Sequence, residues 1–336
     1  MLDSSILNKF DPQGMYKIYD RWPQIAKESY DRDLEQVDFN NIKHIVFAGM
    51  GGSGALHDIF SAILSKTSIH VSVVKGYHLP NTVDSDTLVV TTSISGNTIE
   101  TLTVLDSARK ANCKTIAFSS GGKMEKYCFE NKIEYRNIPM YLSPRSSFPS
   151  FLFSMLKVLE FVLPVKKEDI FDSISNLERL QRKISSDCTT DNPSLHLANW
   201  LTDIPVIYYP WGLQAAAVRF KNSLQENAKM HAMTEDVIEA CHNGLVAWEK
   251  KSNVIPILIR GYDDYKKTKE RWNVIKEYFE EKNIEYKEIF SVEGSILSKL
   301  INLIYLLDYS TIYRSVMSGI DPTPVVAIDF IKNRTK

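Results

Sequence analysis

Two segments rich in glycine and hydroxyl side chains could hold an anion. They are Gly49–Gly54 (G-M-G-G-S-G) and Ser93–Thr98 (S-I-S-G-N-T), and each follows an apolar run and precedes a helical pattern. Glycine lets the backbone turn tightly and lets an anion approach the amides at the positive start of a helix. Neutral donors at a helix start suit a phosphate monoester, because the helix dipole supplies the missing charge. The candidate phosphate-binding residues in these segments are Gly51, Gly52, Ser93, Ser95 and Thr98.

Both segments also have simpler interpretations. Asn97 or Thr98 could cap a helix on its own, and Gly49–Gly54 could be a turn without a ligand. The same six letters satisfy G-x-G-x-x-G, the fingerprint of dinucleotide-binding folds. That fingerprint requires an acidic residue at the end of the second strand, but the corresponding run here ends in Val74–Gly76 (V-K-G). Three hydroxyls beside a glycine exceed what a helix cap needs, so we favour phosphate binding.

A candidate proton-transfer pair lies in the second half of the chain. Glu226 ends a helical pattern and is flanked by amides and a lysine, and His242 follows sixteen residues later. By itself a glutamate at a helix end is usually solvated, and a single histidine is more often structural. Together, a carboxylate and an imidazole provide two groups that can exchange protons near neutral pH.

The elements that must position these residues alternate between strand and helix. Predicted strands in the first half are Ile42–Ala48, Ile69–Val74, Thr87–Thr92 and Lys114–Ser119. Predicted helices between them are Gly54–Leu64, Thr98–Lys110 and Lys123–Asn131. The strand runs are continuously apolar rather than alternating, as expected of parallel strands covered on both faces. This order predicts a parallel sheet with right-handed crossovers.

The second half repeats the same plan. After two longer predicted helices, Phe148–Val162 and Glu168–Ser185, the predicted strands are Ile204–Tyr209, Val254–Arg260 and Ile284–Phe290. The accompanying helices are Leu213–Lys229, Tyr265–Glu281, Ser295–Val316 and Pro324–Lys332. We therefore expect an α/β protein with two doubly wound, flavodoxin-like parallel-sheet subdomains packed as one body. The expected boundaries are a helical segment at 1–40, a first domain at 41–150, a helical bridge at 151–190 and a second domain at 191–336.

Composition excludes several classes of protein. The formal net charge of the 336 residues is −1, which disfavours a nucleic-acid or anionic-membrane surface as the main partner. The four cysteines are scattered, which predicts reduced thiols rather than a disulfide framework or a zinc site. No apolar run is long enough for a membrane span, and the first residues lack the pattern of a signal peptide. We expect a cytoplasmic protein that uses neither a metal nor a cofactor.

The motifs carry a family resemblance. S-x-S-G-N-T-x-E-T after a strand, preceded by G-M-G-G-S-G, resembles the sugar isomerase (SIS) domain, a doubly wound module that binds phosphosugars. Three further motifs narrow the resemblance, in this order along the chain: Q-E-N-A-K, H-N-x(4)-W and G-x-D-P-T-P-V-x-x-I-x-x-x-K. Together they are similar to the bifunctional phosphoglucose/phosphomannose isomerases of archaea and some bacteria. The similarity runs from about Ile42 to Lys332.

The resemblance implies an activity and a set of roles. The activity is reversible isomerisation of glucose 6-phosphate and mannose 6-phosphate with fructose 6-phosphate, through a cis-enediol. Glu226 would transfer the proton between C1 and C2, and Arg145 would stabilise the enediolate. His242 and Lys332 would assist ring opening, with His242 reaching the site from the partner in a homodimer. The implied phosphate ligands are Ser53, Ser93, Ser95 and Thr98.

Three positions need separate comment. One site can handle both epimers if the sugar can rotate about its C2–C3 bond, and Thr323 is the candidate small residue that leaves room for this. The family often shows H-N-E where this chain has Gly244 after Asn243, so we expect a looser loop around His242. Only four residues follow Lys332, which could let the end of its helix fray.

Three other functions remain open at this point. A non-catalytic phosphosugar sensor would keep the serine and threonine cluster, but it has no reason to keep Glu226, Arg145, His242 and Lys332 together. An amino-sugar phosphate isomerase related to glucosamine-6-phosphate synthase would normally carry an N-terminal glutaminase domain. A dehydrogenase would need the missing ribose-binding carboxylate.

Overall fold

The computed structural model describes residues 3–188 and 190–335. It contains two parallel β-sheets flanked by helices, which confirms the predicted α/β class. The chain divides into two units. The first-sheet unit comprises Arg21–Glu178 and Gly294–Leu300. The second-sheet unit comprises Met1–Asp20, Arg179–Glu293 and Ile301–Lys336.

The element boundaries are as follows. The strands are β1 His44–Ala48, β2 His70–Val74, β3 Leu88–Ser93, β4 Lys114–Ser119, β5 Glu134–Asn137, β6 Ile204–Tyr209, β7 Met233–Asp236, β8 Val254–Arg260 and β9 Lys287–Phe290. The helices are α1 Ser4–Phe10, α2 Met15–Asp20, α3 Trp22–Asp31, α4 Gly52–Leu64, α5 Ile99–Lys110, α6 Gly122–Asn131, α7 Phe148–Val158, α8 Lys167–Ile184, α9 Pro193–Trp200, α10 Gln214–Glu226, α11 Val237–Ala240, α12 Lys266–Glu281, α13 Ile296–Met317 and α14 Val326–Lys332. A 3₁₀ helix covers Gly244–Glu249. Within the described ranges, no helix combines the length and apolarity that a membrane span requires.

The first sheet has the strand order β2-β1-β3-β4-β5, with every pair parallel. All six residues of β3 are buried, which explains the continuous apolar run in the sequence. After β1 the chain forms β2 on one side of β1, and it then crosses back to form β3 on the other side of β1. The carboxyl ends of β1 and β3 therefore form a topological switch point, where open α/β sheets bind ligands.

The second sheet has the order β7-β6-β8-β9 and is also parallel throughout. This order matches β2-β1-β3-β4 of the first sheet, element for element. The predicted repetition of one topology in the two halves is confirmed.

Two strands, β5 and β7, were not predicted. Each has four residues and lies at an edge of its sheet, and neither contains a fully buried residue. An edge strand is covered less than a central one, so selection for a continuous apolar run is weak. The sequences E-Y-R-N and M-T-E-D accordingly carry no strand signal.

Helix α10 ends at Glu226, three residues before the predicted end at Lys229. Lys229 has a left-handed backbone with φ of +56°, which an α-helix does not allow. The amide of Met230 then returns to the carbonyl of Leu224 over 3.1 Å. Glu226 thus lies on the last turn of the helix rather than in its interior.

Candidate active site

The two candidate phosphate-binding segments lie at the switch point of the first sheet. Gly49–Gly54 follows β1, and the segment Ser93–Thr98 begins at the end of β3. The amide of Ile94 donates to Ser53 Oγ over 3.3 Å and joins the two segments. The structure therefore brings Ser53 directly beside the second loop.

The predicted hydroxyl cluster surrounds the start of α5. Ser93 Oγ donates to Thr98 Oγ1 over 2.9 Å and accepts from the Thr98 amide over 3.3 Å. Ser95 Oγ accepts from the Asn97 amide over 3.4 Å. Thr98 is the N-cap residue, but its side chain makes no capping hydrogen bond to the helix. Its hydroxyl proton and the first amides of α5 can therefore be directed at an anion.

A third loop supports this cluster, and sequence reasoning missed it. Gly96 has φ of +69°, and a Cβ atom there would collide with the Gly121 carbonyl. The Met124 amide donates to the Gly96 carbonyl over 2.9 Å, and the Lys123 amide to Asn97 Oδ1 over 3.2 Å. The loop after β4 thus fixes the loop after β3. Two consecutive glycines, which begin two residues after the end of a predicted strand, were the available signal.

A buried histidine packs beneath the first glycine loop. His57 Nε2 lies 3.0 Å from Thr92 Oγ1, and a Cβ atom on Gly49 would approach His57 Cε1 to 2.9 Å. Complete burial, with a smaller effect from Lys75, lowers the pKa of His57 to about 3. The imidazole is therefore neutral and contributes packing rather than positive charge.

Arg145 lies in a serine-rich turn next to the glycine loop. A Cβ atom on Gly52 would lie 3.7 Å from the Pro144 carbonyl and 3.9 Å from the Arg145 amide. Ser147 Oγ donates to the Ser143 carbonyl over 2.7 Å and helps to close the turn. Arg145 is 4% exposed. The structure thus brings the backbone of Arg145 beside Gly52, one of the predicted phosphate-binding residues, within the first-sheet unit.

Glu226, in the second-sheet unit, is carried by a helix that a buried ion pair fixes. Arg219 donates to Asp308 Oδ2 through Nε over 2.9 Å and through Nη2 over 2.7 Å. Ser223 Oγ donates to Asp308 Oδ1 over 2.7 Å, and Asn227 Nδ2 donates to Thr311 Oγ1 over 2.8 Å. This network ties α10 to α13. It was not predicted, because Arg219 and Asp308 are far apart in the sequence.

Thr323 belongs to the same unit as Glu226. Its amide donates to Asp321 Oδ1 over 2.8 Å, which closes a turn before α14. The ammonium of Lys229 links this turn to the end of α10 through backbone carbonyls. The structure thereby brings the Thr323 segment to the end of the helix that carries Glu226.

His242 is exposed and follows α11. Its amide donates to the Glu239 carbonyl over 2.9 Å, and Asn243 Nδ2 donates to Glu239 Oε1 over 2.7 Å. The Glu235 carboxylate occupies the space that a Cβ atom on Gly244 would need. Burial, with the neighbouring Glu239 and Asp236, raises the pKa of Glu235. Because Gly244 has no side chain, the Glu235 carboxylate can lie against this loop, where the family often has a glutamate after Asn243. The sequence did not reveal this arrangement.

Lys332 is the last residue of α14, a helix without buried residues. Within the described part of the chain, neither its side chain nor that of His242 makes a hydrogen bond or ion pair. Both groups are thus accessible to a ligand or to another chain.

Comparison with known families agrees with the two-sheet architecture. Residues 38–131 match the SIS domain, and residues 190–335 match the bacterial phospho-glucose isomerase C-terminal SIS domain. The chain is 30% identical to the bifunctional phosphoglucose/phosphomannose isomerase of Caldicellulosiruptor bescii, over 96% of this chain and 96% of that protein.

The chain belongs to the bifunctional phosphoglucose/phosphomannose isomerase family. The protein of that name from Aquifex aeolicus is also 30% identical, over 96% of this chain and 97% of the relative. Among solved structures, a hypothetical protein from Thermus thermophilus superposes with a TM-score of 0.75 at 14% identity. That alignment covers 98% of this chain and 92% of the other. The structural likeness shows a shared fold, and the sequence relatives show membership of this phosphoglucose/phosphomannose isomerase family.

Proposed function

We propose that this protein interconverts glucose 6-phosphate, mannose 6-phosphate and fructose 6-phosphate as an aldose–ketose isomerase. The observation that carries the proposal is the cluster of Ser93, Ser95 and Thr98 at the start of α5, where a phosphate monoester fits the donors. Membership of the family extends the proposed ligand from a phosphate group to a hexose 6-phosphate. A sensor would need the cluster but not the acid–base groups.

The phosphate is held by neutral donors. Ser53, Ser95 and Thr98 donate hydroxyl protons, and Ser93 does so when its hydroxyl turns from Thr98 to the phosphate. The amides of Gly51 and Gly52 start α4 beside them. Two helix starts, those of α4 and α5, face the switch point and supply partial positive charge. Such a site binds the end of the sugar that does not react and thereby orients C1 and C2.

Replacing Ser95 and Thr98 together with alanine should raise KM for fructose 6-phosphate at least about tenfold. A hydrogen bond to a charged group is worth about 1.5–3 kcal/mol, and 1.4 kcal/mol corresponds to a factor of ten. Steady-state kinetics checks this. The matched control is Thr103→Ala, an exposed threonine of α5 whose hydroxyl bonds only within the helix, to the Ile99 carbonyl. An unchanged KM in the double variant would remove the cluster from the site.

The proposed chemistry moves one proton between two carbons. His242 and Lys332 assist opening of the ring. Glu226 takes the proton from C2 of the open-chain aldose, the C–H electron pair forms the C1=C2 bond, and O1 gains negative charge, which Arg145 stabilises. Glu226 then returns the proton to C1, while O1 gains a proton and O2 loses one. The product is the ketose.

One site can serve both epimers. A planar cis-enediol accepts a proton at C2 from either face if the rest of the sugar can rotate about the C2–C3 bond. The short side chain of Thr323, in the turn linked to the end of α10, would leave room for this rotation. Glucose 6-phosphate and mannose 6-phosphate then arise from the same intermediate.

The proposed assembly is a homodimer in which His242 serves the partner's site. The exposure of the His242 side chain supports this. A mixture of Glu226→Gln and His242→Ala proteins, refolded together, should regain activity, because each mixed dimer holds one site with both lesions and one with neither. If heterodimers form and no isomerase activity returns, each site is built from one chain.

We also place the activity in the cytoplasm, where it would serve glycolysis and gluconeogenesis. The four cysteines are free thiols, as a reducing compartment favours. Fractionation of the source cells should recover the activity with cytoplasmic markers, and its recovery outside the cell would contradict this.

The direct test supplies fructose 6-phosphate to the purified protein and quantifies both aldose products. We expect glucose 6-phosphate and mannose 6-phosphate to form together. Glucosamine 6-phosphate, supplied separately, should not be converted. Tight binding of fructose 6-phosphate with neither product would identify a sensor, and a single product would restrict the enzyme to one epimer.

A further inference from the structure

Lys229 lies three residues after Glu226 and connects two parts of the proposed site. Its ammonium donates to the carbonyls of Glu226 over 2.6 Å, Pro324 over 2.8 Å and Pro322 over 3.3 Å. We propose that Lys229 is a positioning residue that fixes the turn around Thr323 relative to Glu226. The inference rests on the proposed function and adds a residue that sets both rate and product ratio.

The first contact satisfies the end of α10. Carbonyls in the last turn of a helix have no partner within the helix, and the Glu226 carbonyl is one of them. An ammonium meets this need and also complements the negative end of the helix dipole. The backbone of Glu226 is thereby fixed at the point where its side chain leaves the helix.

The other two contacts lie on either side of Thr323. Pro322 and Pro324 have restricted φ angles and no amide protons, so their own backbone groups can be held only through the carbonyls. One ammonium bound to both carbonyls fixes the peptide plane between Pro322 and Thr323 and the plane between Pro324 and Val325. The direction of the Thr323 side chain is set accordingly.

The backbone of Lys229 supports a role for its side chain. With φ of +56°, the residue occupies a conformation in which glycine is preferred. A non-glycine residue there costs about 1–3 kcal/mol. The three carbonyl contacts give a physical reason to retain a long side chain at a position where glycine would be less strained.

We call the three contacts of the Lys229 ammonium, with the carbonyls of Glu226, Pro322 and Pro324, the Lys229 clamp. This clamp should act on the reacting end of the sugar. Phosphate binding is proposed for residues of another unit, so loss of the clamp should leave KM nearly unchanged. Misplacement of a catalytic group by 1 Å can cost about 10²-fold in rate. Thr323 controls rotation about C2–C3 in the proposed mechanism, so the ratio of mannose to glucose product should change as well.

The experiment compares Lys229→Met and Lys229→Gly with the wild-type protein. Both should lower kcat about 10- to 100-fold, keep KM within about threefold and change the product ratio. The glycine variant accepts the left-handed backbone without strain, so it should fold even if the methionine variant does not. Lys282→Met is the matched control, because Lys282 is an exposed lysine that follows α12 in the same unit.

Amide hydrogen exchange gives a readout that does not depend on activity. In Lys229→Gly, exchange of a peptide covering residues 321–332 should become at least about tenfold faster than in the wild type, because the turn opens locally. Unchanged exchange, or wild-type kcat and product ratio in both variants, overturns the clamp. A wild-type protein with no isomerase activity overturns the proposed function instead, and the exchange result still decides whether Lys229 holds the turn.

Discussion

Replacing Glu226 with glutamine should lower kcat for both aldose products by about 10²- to 10⁴-fold. This is the range that proton transfer by a positioned base contributes. Glutamine keeps the size of the side chain and its ability to hydrogen-bond, but it cannot accept the proton from carbon. Binding of fructose 6-phosphate should persist, because the proposed phosphate ligands are unchanged. Rapid-quench kinetics and isothermal titration calorimetry measure the two effects separately.

The matched control for the lost charge is Glu277→Gln on α12, where the side chain is exposed and distant in sequence from every proposed site residue. It should retain wild-type kcat. A loss smaller than about tenfold in Glu226→Gln would remove Glu226 as the base. Loss of glucose 6-phosphate formation with mannose 6-phosphate formation intact would contradict a single site for both epimers.

Replacing Arg219 with methionine should lower the free energy of unfolding of the second-sheet unit by about 3–5 kcal/mol. The variant leaves Asp308 completely buried without its cation, and an uncompensated buried charge carries a penalty of that size. Four of the five tryptophans lie in this unit, so urea denaturation followed by tryptophan fluorescence reports on it. Because α10 also carries Glu226, kcat should fall at temperatures at which the protein is still folded.

Two variants make this stability prediction sharper. Arg219→Met combined with Asp308→Leu should be less destabilising than Arg219→Met alone, since replacing both partners removes the unpaired charge. Lys267→Met breaks an exposed ion pair with Glu270 in the same unit and should change stability by less than about 0.5 kcal/mol. A cost below about 1 kcal/mol for Arg219→Met would show that the buried pair does not fix α10.

The central strands of both sheets could be predicted, whereas two of the four edge strands could not. Strands β3 and β6 are covered on both faces, and their apolar runs predicted them as strands of a parallel sheet. Strands β5 and β7 lie at the edges, where partial exposure removes the pattern. The end of α10 was also missed, because the left-handed residue that follows the helix is Lys229 and not the glycine that usually marks such an end.

The same contrast holds for the candidate site. Ser93, Ser95 and Thr98 could be predicted as neighbours at a helix start, because a strand, a glycine and hydroxyl side chains follow one another in a short segment. The two glycines at 121 and 122 could mark a turn, but neither the contact of this turn with Gly96 nor the Lys229 contacts could be found, since both depend on packing between segments that are separate in sequence. Local motifs therefore predicted the candidate groups, whereas the structure was needed to find the contacts around them.

The central claim is that one proton-transfer base forms both aldoses through a common enediol. The most direct measurement is conversion of fructose 6-phosphate in D₂O, with deuterium at C2 of each product determined by mass spectrometry or NMR. The account predicts solvent deuterium at C2 of both glucose 6-phosphate and mannose 6-phosphate, and loss of both labelled products in Glu226→Gln. Deuterium in only one aldose, or in neither after many turnovers, would contradict it.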